Sequence, residues 1–216
     1  MTRPFPAVAA LVVAALTLAG CSLARSIPNV RYYTLAITGQ PSTTLGAPIH
    51  VATITGDQPY ATERIAFRTS PYQLDYYTYH RWAADPRNLI RTVARDYFER
   101  AGGASGVPFE LDANIRRLEE LDEPSGWRGA VALDVRLARG GRVVLERAYS
   151  ETEPAESRRP EAVAAALSRA LQRILDQVLA EAARTDTAAP ASPPHTDAAA
   201  IPPTSAAGVP PPRAPR

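Results

Sequence analysis

The chain has 216 residues, room for one domain with extra segments at its ends. Its 24 basic residues, all arginine, stand against 22 acidic ones for a net charge of +2, with no long block of either sign. That balance argues against a nucleic-acid partner, which would want a clustered basic face.

Cys21 is the single cysteine, so no intramolecular disulfide and no thiolate metal site can form. The chain opens Met1-Thr2-Arg3, and a mostly apolar stretch then runs from Phe5 to Ala19. A basic start followed by an apolar run of about 7–15 residues is the pattern of an export signal. The run falls short of the ~20 apolar residues that span a bilayer. Leu18-Ala19-Gly20-Cys21 resembles the bacterial lipobox. That likeness implies cleavage after residue 20 and a lipid joined to the Cys21 sulfur. Ser22, where an aspartate would favour inner-membrane retention, points to the outer membrane.

Residues 1–20 are thus expected as a signal peptide and 21–30 as a lipidated linker. One domain is expected over 31–184, and a disordered Pro/Ala-rich tail over 185–216. Within the domain, Arg31–Ala36 and Pro48–Ile54 have strand composition and alternation. Arg64–Arg68 and Gln73–Trp82, joined through Ser70-Pro71, predict a hairpin. Asp85 sits where an N-cap belongs and Pro86 at the first helical position. Leu89, Ile90, Val93, Ala94, Tyr97 and Phe98 then recur at helical spacing, up to Gly102-Gly103. Strands are predicted over 108–118, 127–137 and 142–149, the last two turning at Gly140-Gly141. A closing helix over 160–183 carries a stripe that includes Val163, Leu167, Leu171, Ile174 and Val178. The simplest way to bury two such stripes is an α+β domain: a mainly antiparallel sheet with two amphipathic helices packed on one face.

A search for chemistry finds no assembled constellation. His50, His80 and His195 lack partners at ligand spacing, and no nucleophile elbow, zinc motif or phosphate loop occurs. No enzyme, no metal site and no cofactor are expected, apart from the covalent lipid on Cys21. The acids Glu119-Glu120 and Asp122-Glu123 read as a solvated turn before Pro124-Ser125-Gly126. The most unusual stretch is Tyr72–Trp82. Strand alternation would put Tyr77 and Tyr79 on one face with Gln73, Asp75 and Arg81. Cross-strand stabilisation is one use of such a row, and a partner-binding surface on Tyr77 and Tyr79 is the other.

Tyr32-Tyr33-Thr34-Leu35 soon after the cysteine resembles the ABC-type transport auxiliary lipoprotein family, the PqiC-like lipoproteins. So does the run Tyr76-Tyr77-Thr78-Tyr79-His80-Arg81-Trp82-Ala83, followed by a proline and a helix. The resemblance covers roughly Tyr32 to Ala183 and leaves the tail outside. It implies a periplasm-facing lipoprotein at the outer membrane, working with an ABC permease and ATPase and a mammalian-cell-entry (MCE) domain protein. Such systems move lipids or other hydrophobic molecules across the envelope, and homo-oligomerisation would fit them. Only the anchor role maps residue by residue, onto Cys21. The contrasting expectation is a structural or assembly lipoprotein that partners an outer-membrane β-barrel.

Overall fold

A long closing helix lies across a seven-stranded sheet. The computed structural model describes residues 28–188. The expected signal peptide, Cys21, most of its linker and the tail from residue 189 lie outside the described residues.

The elements are β1 (Arg31–Tyr33), β2 (Ile49–Gly56), a 3-10 turn (Gln58–Tyr60), β3 (Arg64–Ser70) and β4 (Gln73–Trp82). They continue as α1 (Pro86–Arg100), β5 (Phe109–Glu123), β6 (Gly126–Arg139), β7 (Arg142–Pro154) and α2 (Pro160–Ala188). The α+β class holds. The sheet, however, is mixed and not mainly antiparallel: β1 pairs β4, β2 pairs β5 and β3 pairs β5, all in parallel. Among the described residues, the β3–β4, β5–β6 and β6–β7 pairs are antiparallel. The cause is connection length, because parallel partners need a crossover of a dozen or more residues. The β3–β4 hairpin and α1 supply one between β2 and β5.

β5 organises the sheet. Along one edge it pairs β6 throughout, from Phe109↔Arg139 to Glu123↔Gly126. Its other edge is shared end to end: Phe109–Ile115 against β2, then Glu119–Leu121 against β3. A bulge lies at the changeover, with Ile115 opposite Leu133, Arg117 opposite Ala132, and Arg116 the extra residue. The bulge shifts the inward set by one position. Leu111, Ala113 and Ile115 are buried before it, and Leu118 and Glu120 after it.

Local chemistry explains the helices. The Asp85 carboxylate accepts the Arg87 amide at 2.9 Å and caps α1, with Pro86 at its first position. α1 packs over β2, and α2 over β6 and β7. The two helices meet where the Tyr97 hydroxyl donates to Asp176. Val163, Leu167, Leu171, Ile174, Val178 and Leu179 are fully buried along α2. This helix continues past the expected stop near Ala183. Asp186 accepts the Gly46 and Ala47 amides at 3.1 and 3.3 Å and pairs with Arg139 at 2.7 Å. Residues 185–188 therefore belong to the fold.

α2 crosses β6 at Gly129. A methyl group there would stand 2.7 Å from the Leu167 amide nitrogen and 3.0 Å from the Ala166 carbonyl carbon. Both are backbone atoms and cannot rotate aside. Replacing Gly129 by Ala must therefore lift the helix off the sheet, costing about 1–3 kcal/mol as overpacking does. Thermal denaturation should show a clear fall in Tm; an unchanged Tm would mean that the contact is not made.

Candidate functional site

Two neighbouring carboxylates in β5 leave the strand in opposite directions, and both are buried. They do not sit in the solvated turn that composition suggested, because β5 runs on to Glu123. Glu119 receives Arg68 at both oxygens, Nε at 2.9 Å and Nη2 at 3.2 Å. The Tyr60 hydroxyl donates to it at 2.7 Å, and Arg117 Nε lies 3.4 Å away. A bidentate guanidinium with a phenol is the kind of set that compensates a buried charge. Burial, then the neighbouring Glu119, pushes the Tyr60 phenol up to about 12.

Glu120 is compensated far less. Its Oε2 accepts the Tyr77 hydroxyl at 2.8 Å, while Oε1 is buried without a partner among the described residues. Burial lifts its carboxyl to about 7; Asp122 pushes the same way, and Tyr77 and Arg158 pull against it. Burial and then Glu120 push the Tyr77 phenol far above its ordinary range. A short aromatic chain continues from there. The Tyr77 ring meets Phe67 at 4.9 Å and sits edge-on to His80 at 5.4 Å. Tyr33 and His80 Nδ1 share a hydrogen bond of 2.8 Å.

The two tyrosines singled out from the sequence are therefore separated. Ala66 pairs with Tyr76 but Arg64 with Arg81, so two steps on β3 match five on β4. That irregularity breaks the alternation that would have put Tyr77 and Tyr79 together. Tyr77 is half-buried in the Glu120 network, whereas Tyr79 is 41% exposed. Tyr32 on the edge strand β1 is 63% exposed. Cys21 lies outside the described residues.

The sheet face away from the helices is polar. Register sets Thr53, Asp112, Arg136 and Glu146 abreast across β2, β5, β6 and β7, with Thr55, Asn114 and Asp134 in the next row. Together they line a shallow groove of about 650 Å³. Arg136 pairs with Asp112 at 3.3 Å, and Arg116 reaches both Asp57 at 3.0 Å and Asp134 at 3.2 Å. Exposed pairs of this kind contribute about 0–1 kcal/mol each, so this face is a wettable surface more than a source of stability. It offers hydrogen bonds and charges of both signs to a partner. Among the described residues no group of three or more His, Cys, Asp or Glu could hold a metal ion. Nor is any described helix long and apolar enough to cross a membrane. His50 is exposed on β2, and His80 is engaged by Tyr33.

A family model described as the ABC-type transport auxiliary lipoprotein component matches residues 33–179. No curated protein matches in sequence. Among solved structures, protein XCC0632 from Xanthomonas campestris is similar at 23% identity and a TM-score of 0.58, over 74% of this chain and 95% of that one. A second crystal structure, of an uncharacterized protein, is similar at 13% identity and a TM-score of 0.54, over 73% and 99%. At these identities the two likenesses speak for the fold alone.

The two acids give a pH-dependent test. A carboxyl whose pKa is higher in the folded state stabilises below its unfolded value, near 4.5, and loses that contribution as pH rises through about 7. Unfolding free energy should therefore drop by about 2–3 kcal/mol on this account between pH 5 and pH 8. Glu120→Gln should flatten the slope in denaturant titrations at several pH values; an unaltered slope would assign it to other groups. Glu119→Ala, which strands Arg68 and Tyr60, should cost about 3–5 kcal/mol, the usual loss when one partner of a buried ion pair is removed.

Proposed function

The chain belongs to the family of ABC-type transport auxiliary lipoprotein components, and on that premise we propose that it is the non-catalytic, membrane-anchored docking component of an ABC/MCE-type system. The system's task would be to move lipids or other hydrophobic molecules across the cell envelope. The observation that carries this reading is the family match over 33–179, which takes in nearly the whole described domain. Cys21 would hold the lipid, place the domain at the outer membrane and face it to the periplasm. ATP hydrolysis belongs to another subunit in this scheme, in keeping with a domain whose buried acids serve its own packing.

The physical logic is one of effective concentration. A domain held at a membrane searches a thin layer instead of a volume, so modest contacts with an MCE protein and a permease suffice. The polar sheet face around Asp112, Arg136 and Asp134 supports such a role, because exposed charges of both signs select a partner more than they stabilise a fold. Closed homo-oligomers would multiply the same weak contacts.

Two measurements test the reading. Pull-down of the full lipoprotein from detergent-solubilised envelopes should bring an MCE protein with its permease and ATPase; recovery of a β-barrel instead would favour an outer-membrane assembly role. Cys21→Ala should move the protein from the membrane to the soluble periplasmic fraction and abolish transport, with the thermal unfolding of the domain unchanged. A variant that still fractionates with membranes would remove the anchor from the argument.

A further inference from the structure

One end of the sheet carries exposed aromatic and aliphatic surface beside the point where the chain enters the domain. Val30 is 39% exposed, Tyr32 63% and Tyr79 41%. Tyr32 on β1 is the register partner of Arg81 on β4, so both leave the sheet on one side. Arg64, the register partner of Arg81, is exposed on that same side, whereas Arg31 leaves the edge on the other side beside Tyr33. The exposed acids Glu63 and Glu161 also lie at this end. Arg64 also stacks over the Tyr76 ring at 4.5 Å, which fixes its position. β1 is an edge strand, and Arg31 stands ten positions after Cys21. Even fully extended, ten residues span only about 35 Å.

We propose that the β1–β4 edge, with Val30, Tyr32 and Tyr79 beside Arg64 and Arg81, rests on the phospholipid headgroup layer of the membrane that holds Cys21. The proposal relies on the lipid-anchor reading above and adds an orientation to it. Tyrosine suits this layer because its ring is apolar and its hydroxyl wet. Arginine suits it because a guanidinium meets phosphate oxygens in a planar fork. The tether holds the domain at the bilayer, and because its reach exceeds the width of the sheet, it is this aromatic and basic end that selects the orientation. The opposite edge, β7, stands five strand spacings away, about 24 Å at ~4.8 Å each, and turns toward the aqueous side. The polar groove between β2 and β7 is then left free for protein partners.

The acylated full chain offers a clean probe, since its one natural cysteine is blocked by the lipid. Thr78→Cys, beside Tyr79, and Arg142→Cys, at the start of β7, each accept an environment-sensitive fluorophore at an exposed site. The labelled proteins are reconstituted in vesicles of phosphatidylethanolamine and phosphatidylglycerol containing headgroup-spin-labelled lipid. Quenching should be several-fold stronger at position 78 than at 142. It should fall toward the level at 142 when Tyr32 and Tyr79 are both replaced by Ser, and weaken in high salt. Equal quenching at the two positions, in protein that floats with the vesicles, overturns the orientation while leaving the anchor intact. Protein that fails to float overturns the anchor, and the orientation with it.

Discussion

β5 has to satisfy two neighbours on one edge and a single neighbour on the other. A straight, evenly alternating strand would give both halves the same inward register. The extra residue at Arg116 lets the first half send Leu111, Ala113 and Ile115 inward and the second half Leu118 and Glu120. The same step lets β2 and β3 lie end to end beside one strand. Each half of the sheet can then meet its own cover, α1 over β2 and α2 over β6 and β7. The inward register of β5 beyond Arg116, and with it the inward burial of Glu120, follows from that step.

The acids illustrate how a fold can hold carboxyl groups in its interior. Glu119 sits within a full set of donors. Glu120 has one donor and an elevated proton affinity, so near neutral pH it behaves as a carboxyl that is easily kept uncharged. Neither acid lines the groove on the polar face. In a protein whose proposed contribution is position, these groups specify the packing of Tyr60 and Tyr77 on the two sides of the sheet.

Much of this was legible in the sequence where the signals are local. Asp85-Pro86 marks the start of α1, Gly140-Gly141 marks a two-residue hairpin, and both glycines adopt positive φ there, 56° and 76°. The apolar stripe of α2 read true because helical spacing survives any tertiary arrangement. What stayed hidden depended on register between distant segments. Parallel pairing leaves no mark on a short strand such as β1 or β3. A bulge likewise looks like nothing more than a polar residue out of phase. Glu119-Glu120, flanked by Leu118 and Leu121, carried the one available hint of a strand continuing through charged residues. For the candidate site, Tyr79 was readable as an exposed aromatic. Tyr77 was not readable as buried, because its partner Glu120 comes 43 positions later.

The segment from Thr34 to Pro48, which joins β1 to β2, is clipped along α2 by backbone amides. The Ala36 amide donates to Ser168, the Ser42 amide to Asp176, and the Gly46 and Ala47 amides to Asp186. If the domain is leashed at Cys21 as proposed, this arrangement would act as a strain relief. A pull on the leash meets β1 first, held to β4 over only three residues. Once β1 peeled, the load would pass clip by clip along the closing helix, which is seated across β6 and β7. The sheet would feel the tug as a force spread over its far half instead of a tear at its weakest edge.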